Sequence, residues 1–167
     1  MKANIRWIMF LLALVCVVQA ASAAAGFDVK TETVNPAGTT LEPGQQVTAR
    51  YVLTYEMVTD GGGDQSNDES FEFSTGLQNP SWDFKVYRDG VAIYTTKKTG
   101  YYPVLTEFEL DYGDGKIELD AQLRGTVPTS TSGKVLVTKI DHLLEKNVRD
   151  THSVTRDVVS KAQVEGS

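Results

Sequence analysis

Long stretches of this chain alternate between apolar and polar residues at every second position. That is the period of a β-strand buried on one face only. The clearest run covers residues 47–58, where the apolar face carries Val47, Ala49, Tyr51, Leu53, Tyr55 and Met57. The other face is mostly polar, with Val52 as the exception. No segment of the sequence shows a sustained helical period with caps, so an all-β fold is predicted.

Turn signals separate the alternating segments. Asp89-Gly90 lies between the runs 82–87 and 91–95 and predicts a tight β-hairpin, because both central positions of such a turn need positive φ. Further strands are expected at 27–34, 69–75, 104–112, 117–126, 134–143 and 148–159. Eight or nine short strands joined by turns predict an immunoglobulin-like β-sandwich, formed by residues 24–167 as a single domain.

The charges on segments 104–112 and 117–126 argue against direct pairing of these two strands. A hairpin in apolar register would place Asp111 opposite Glu118 and Glu109 opposite Asp120. Like charges directly opposite each other destabilise a strand pair. We therefore expect the two strands to lie in different sheets; the alternative is an acidic ladder that binds cations.

The alternation also predicts the core. The residues expected to face inward are Tyr51, Leu53, Tyr55, Trp82, Phe84, Phe108, Leu110 and Leu119. Trp82 alternates in phase with Phe84 and Val86, which favours a core position over a ligand-binding platform.

The first residues have the layout of a secretory signal peptide. Lys2 and Arg6 flank an apolar run at 7–18, and Ala21-Ser22-Ala23 supplies a small-x-small cleavage site. Residues 1–23 are therefore predicted to be removed, which places the protein outside the cell or at its surface. If the leader is kept instead, residues 7–25 approach the length of a membrane anchor. The polar segment 160–167 predicts no membrane span after cleavage.

Charge and cysteine content limit the possible functions. The chain has a formal charge of −6, and loss of the two leader cations leaves 14 cations and 22 acids, or −8, in residues 24–167. Such an excess repels phosphate backbones, so nucleic-acid partners are not expected. The single cysteine, Cys16, lies in the leader, which excludes disulfides and thiolate catalysis from the exported part.

The sequence contains no recognisable catalytic constellation. His142 and His152 are the only histidines, and no nucleophile elbow or metalloprotease motif is present. We predict that the protein is not an enzyme and assign no catalytic residues.

Two segments are candidate binding sites. The Gly-rich segment 60–69 offers Asp60, Asp64, Asp68 and Glu69 as possible calcium ligands, although the spacing is not that of an EF-hand. A solvated hairpin loop is expected there; calcium is the alternative, and no other cofactor is predicted. Tyr101 and Tyr102 form an aromatic pair at a strand start and are the candidate contact surface.

Several segments resemble a recurrent pattern in secreted archaeal proteins, especially those of methanogens. The similar segments are 108–112, 123–128, 80–82, the turn 89–90, and the opening 35–36 with 41–44. The resemblance implies a β-rich cell-surface protein and brings no catalytic residues. Such relatives often end in a membrane or sorting segment, which this chain lacks.

Together these features predict an exported, non-enzymatic cell-envelope protein with a structural or adhesive role. The alternatives are a calcium- or carbohydrate-binding module and a self-assembling surface-layer or sheath subunit. The expected partners are other envelope proteins or copies of the same chain, bound through strand edges. The last strand, 148–159, is the expected edge.

Overall fold

The computed structural model describes residues 26–57, 69–106, 109–110, 115–144 and 146–159. These residues form ten strands, which are β1 (Phe27–Asn35), β2 (Thr40–Leu41), β3 (Gln46–Met57), β4 (Ser70–Ser74), β5 (Gln78–Arg88), β6 (Val91–Thr99), β7 (Val104–Thr106), β8 (Gly115–Thr126), β9 (Gly133–Leu144) and β10 (Asn147–Val158). The described ranges contain no helix that could cross a bilayer. The predicted all-β class is confirmed. The extra strand is β2, whose two residues are too few to produce an alternating pattern.

The strands form two five-stranded sheets. The first sheet has the order β1-β3-β8-β5-β6, and the second has the order β2-β10-β9-β4-β7. All pairs are antiparallel except β2 with β10, which is parallel. Neighbours in each sheet are mostly non-consecutive in the chain, so the connections cross between sheets as they do in immunoglobulin-like sandwiches. The predicted sandwich architecture is confirmed.

The hairpin predicted at Asp89-Gly90 connects β5 to β6. Asp89 has φ of 50° and Gly90 has φ of 78°, which are the positive values that a primed two-residue turn requires. Arg88 and Val91 pair on either side of it. The local sequence was sufficient here because the turn geometry depends on these two residues alone.

The expected separation of the two acidic strands is also confirmed, since β7 lies in the second sheet and β8 in the first. The strand predicted at 104–112 is too long, however, because β7 ends at Thr106. The backbone N–H groups of Glu109 and Leu110 both donate to the Thr106 carbonyl, so the chain turns instead of extending. The Glu109 carboxylate also accepts the Thr106 N–H at 2.9 Å. Asp111 lies outside the described residues.

The core lies between the two sheets and contains the inward residues expected from alternation. Tyr51, Leu53, Tyr55, Trp82, Phe84, Leu110 and Leu119 are all buried, and Phe108 lies outside the described residues. The Trp82 ring lies 5.5 Å from that of Phe73 and 5.8 Å from that of Phe84, measured between centroids. Its indole N–H donates to the Gly100 carbonyl at 3.1 Å. Trp82 is therefore a core residue and not a surface platform.

The last strand forms an edge over most of its length. In the described part of the chain, β1 and β6 are the outermost strands of the first sheet, and β2 and β7 are those of the second. β10 pairs with β9 along its length, but β2 pairs with it only at Asp157 and Val158, so residues 147–156 have no second neighbouring strand among the described residues. The prediction that the last strand is an edge is therefore confirmed for these residues and wrong at the end of the strand. His152 of β10 contacts Glu32 of β1, in the other sheet, with 2.8 Å between Nε2 and Oε2.

Candidate contact surface

The two tyrosines proposed as a contact surface are exposed at one end of the second sheet. Tyr102 is 78% exposed and Tyr101 is 46% exposed. Their ring centroids lie 6.5 Å apart, with 53° between the ring planes. The backbone beside them is held firmly, because the Tyr101 and Pro103 carbonyls accept hydrogen bonds from Thr75 and Phe73. The pair is thus an exposed aromatic surface on a hydrogen-bonded backbone at the start of β7.

Tyr102 borders a groove on the outer face of the second sheet. The groove has a volume of about 420 Å³ and is lined by Glu72, Ser74, Tyr102, Val104, Lys139 and Asp141. Strand register explains this set: Glu72 pairs with Asp141 and Ser74 with Lys139 across β4 and β9, and Val104 pairs with Glu72 across β4 and β7. Residues that pair directly across neighbouring strands point to the same face of the sheet, so β4, β7 and β9 all contribute side chains to one surface.

Two of these polar groups are held in place by hydrogen bonds. Lys139 Nζ donates to Asp141 Oδ2 at 2.6 Å. The Thr151 hydroxyl, from β10, donates to Asp141 Oδ1 at 2.6 Å. Asp141 is largely buried while Lys139 remains partly exposed. The carboxylate is therefore oriented by neighbours on two strands, and the ammonium group faces the groove from a defined position.

A second polar cluster, which the sequence did not reveal, is buried between the sheets. Glu69 Oε1 lies 2.7 Å from His142 Nε2, and the two side chains are 4% and 1% exposed. The imidazole stacks on Phe71 with 4.8 Å between centroids and 19° between planes. Burying two ionisable groups is costly unless they satisfy each other, and this short contact does so.

Tyr55 completes this buried cluster. Its ring lies 5.9 Å from that of His142 and 4.8 Å from that of Phe71. Burial, with the Glu69 carboxylate adding to it, raises the pKa of Tyr55 above its ordinary value, so the phenol stays protonated. Its hydroxyl is buried and has no hydrogen-bond partner among the described residues.

The calcium candidates are divided by the structure. Asp60, Asp64 and Asp68 lie outside the described residues. Glu69 is buried, and one of its oxygens contacts His142. Within the described ranges no three acidic, histidine or cysteine side chains are grouped as metal ligands. The calcium hypothesis for segment 60–69 therefore stays a prediction.

Sequence reasoning missed most of the groove and the whole buried pair. Glu72, Lys139 and Asp141 look like ordinary outward residues of amphipathic strands, and nothing local relates them to Tyr102. His142 did carry a weak signal, because it lies two residues after Ile140 on the inward face of β9. A histidine in an inward position needs a partner, but the sequence does not identify Glu69 as that partner.

Comparison with known proteins gives a fold likeness and no family. No family model and no curated protein matches the sequence. Among solved structures, the N-terminal domain of the Streptococcus gordonii adhesin Sgo0707 is similar with a TM-score of 0.49 and 17% identity, over 77% of this chain and 32% of that one. The major pilin subunit of Bacillus cereus is similar with a TM-score of 0.42 and 15% identity, over 80% of this chain and 40% of that one.

A collagen-binding domain from a Staphylococcus aureus adhesin is also similar, with a TM-score of 0.37 and 11% identity, over 83% of this chain and 98% of that one. This chain spans about a third of the streptococcal chain named above. The three structures are bacterial, so the archaeal resemblance stays a prediction.

Proposed function

We propose that this protein is an exported, non-enzymatic adhesive module of the cell surface and that it contacts its partner through the groove beside Tyr102. The observation that carries the proposal is an exposed tyrosine pair on a rigid strand start, next to a preformed polar groove. Exposed tyrosines supply large contact areas at a low cost in conformational entropy, which is why binding surfaces are rich in them.

Export rests on the leader pattern in residues 1–23. N-terminal sequencing of protein from native cells should find a start at or near Ala24. Retention of residues before Ala20 would contradict cleavage and favour an anchored form.

The adhesive role is tested by cosedimentation of the purified exported form, which lacks the apolar leader in residues 1–23, with envelope fragments of the cells that produce it. Tyr102→Ala should lower the amount bound by about tenfold, the effect of losing roughly 1.4 kcal/mol of binding free energy. Thr48→Ala is the control, because Thr48 is an exposed residue on β3, an interior strand of the other sheet. If the wild-type protein binds and both variants bind as well as it does, the groove is not the contact surface.

Self-assembly is a second candidate, favoured by the β6 edge. Within the described residues this nine-residue strand pairs only with β5; Val91 and Ile93 are exposed at its start, and Lys97 and Lys98 lie near its end. Unpaired backbone groups at the apolar start of such an edge can accept a strand from another molecule. Sedimentation velocity should then show concentration-dependent association that Ile93→Lys abolishes, whereas a monomer at all concentrations would exclude this role.

A further inference from the structure

The groove beside Tyr102 presents hydrogen-bond donors and acceptors together. Asp141 accepts one hydrogen bond on each oxygen, from Thr151 and from Lys139. A carboxylate oxygen has two lone pairs and an ammonium group has three N–H donors, so both groups keep capacity for a ligand. Because each is already oriented by the protein, a ligand loses little free energy in ordering them.

The opposite side of the same surface adds two more polar groups. Glu72 lies across from Asp141 and Ser74 lies across from Lys139 in the β4–β9 register. The Glu72 side chain is exposed and that of Ser74 is partly exposed. The two cross-strand pairs, Glu72 with Asp141 and Ser74 with Lys139, therefore give the groove two carboxylates, an ammonium group and a hydroxyl.

The wall of the groove is apolar. Tyr102 is largely exposed and Val104 is partly exposed beside it. The face of an aromatic ring carries partial negative charge and attracts C–H groups with partial positive charge. A ligand suited to this groove has one C–H-rich face and a rim of groups that both donate and accept hydrogen bonds.

We propose that the groove binds a saccharide of one or two sugar rings, an inference that rests on the adhesive function proposed above. A sugar ring has such a C–H face, and its hydroxyls both donate and accept. The volume of about 420 Å³ lies within the roughly 300–1,000 Å³ typical of small-ligand sites.

Other ligand classes fit these observations less well. A simple anion is repelled by Glu72 and Asp141, while a cation meets the ammonium group of Lys139. An added peptide strand needs a run of unpaired backbone groups, but β4 and β9 are interior strands with a neighbour on each side, and the edge strand beside the groove, β7, has only three residues.

The test uses the same exported form, without residues 1–23, and two treated samples of the same envelope fragments. Periodate cleaves the vicinal diols of sugars, whereas a broad-specificity protease removes envelope proteins. Periodate treatment should lower the amount of protein bound by about tenfold or more, and protease treatment should leave it within about twofold. Free poly-lysine should not compete.

Variants test which groove residues contribute to binding. Tyr102→Ala and Asp141→Asn should each lower binding to untreated fragments by about tenfold, while Tyr102→Phe keeps the ring and should stay within about twofold. Asp83→Asn is the control, because Asp83 is a partly exposed acid paired with Lys97 on the other sheet. Circular dichroism at the assay temperature verifies that each variant is folded.

Binding that survives periodate but is lost after protease treatment, or is displaced by poly-lysine, would overturn the saccharide proposal and leave the adhesive function standing with a protein partner. Loss on Tyr102→Ala without loss on Asp141→Asn would likewise indicate apolar docking and contradict a saccharide. If the wild-type protein does not bind untreated fragments at all, the adhesive function itself fails.

Discussion

Arg50 and Asp120 form a two-point ion pair across the β3–β8 strands on the outer face of the first sheet. Arg50 Nε donates to Asp120 Oδ1 at 3.0 Å and Nη2 donates to Oδ2 at 2.9 Å. The hydrogen bond and the charge of Asp120 raise the pKa of Arg50 above its ordinary value. A direct hairpin would have placed Asp120 opposite Glu109, but in the structure Asp120 pairs with Arg50. Glu109 pairs with a different cation, Lys98, with 2.6 Å between Nζ and Oε1.

The Arg50–Asp120 pair should contribute to stability because Asp120 is nearly buried. Asp120→Asn is expected to lower the free energy of unfolding by about 1–2 kcal/mol, less than a fully buried charged hydrogen bond because Arg50 is half exposed. Asp83→Asn should cost less than about 0.5 kcal/mol, since its pair with Lys97 is exposed. Urea denaturation measures both values, and equal losses would show that burial of Asp120 does not matter.

The buried Glu69–His142 pair should contribute more to the free energy of unfolding than the partly exposed Glu32–His152 pair. Glu69→Ala leaves a buried imidazole without this partner and should cost about 2–3 kcal/mol. Glu32→Ala removes the carboxylate from a half-exposed histidine, His152, at nearly the same distance, and should cost less than about 1 kcal/mol. Thermal and urea unfolding of the two variants show whether burial or the distance between histidine and carboxylate determines the stability that each pair contributes.

Glu109 should make the stability of the fold depend on pH. Burial tends to raise the pKa of Glu109, but hydrogen bonds from Lys98, the Thr106 N–H and Tyr94 outweigh it and hold the pKa below the ordinary 4.5. A carboxyl with a depressed pKa in the folded state contributes stability above its ordinary pKa and loses it as the pH falls through the folded value.

Glu109→Gln should therefore lower the free energy of unfolding at pH 7 and have much less effect near pH 3. Glu118→Gln, which changes an exposed glutamate on β8, is the control and should be nearly neutral at both pH values. A cost for Glu109→Gln that is the same at both pH values would show that the charge of Glu109 is not what stabilises the junction of β6 and β7.

Trp82 should be the costliest core residue to remove. Trp82→Ala is expected to lower the free energy of unfolding by about 3–5 kcal/mol, because it leaves a cavity beside the packed rings of Phe73 and Phe84. Trp82→Phe keeps most of the packing and loses the bond to Gly100, so it should cost less than Trp82→Ala. A loss below about 1 kcal/mol for Trp82→Ala would contradict a core position.

Calcium should have little effect on thermal stability. A metal that binds only the folded state stabilises it by RT ln(1 + c/Kd), where c is the free metal concentration, so the melting temperature keeps rising with the metal concentration. We expect little or no rise. A rise that disappears in a variant with Asp60, Asp64 and Asp68 all changed to Asn would establish a calcium site in segment 60–69.

Local pattern was enough to determine which side of each strand is buried. Tyr51, Leu53 and Trp82 could be assigned to the core because alternation places them on an apolar face whatever strand lies beside them. The turn at Asp89-Gly90 was equally predictable, since its φ values depend on two residues.

The identity of the neighbouring strands was decided only by the tertiary structure. Glu69 meets His142 from 73 residues away, and Tyr102 shares a groove with Lys139 because β4 lies between β7 and β9. Pairing and register come from the packing of whole sheets, in which many strand orders bury the same apolar faces. The candidate contact surface could not be predicted from the sequence, because each of its polar residues taken alone is an ordinary outward residue of a strand. Only the pairing of β4 with β9 brings these residues together.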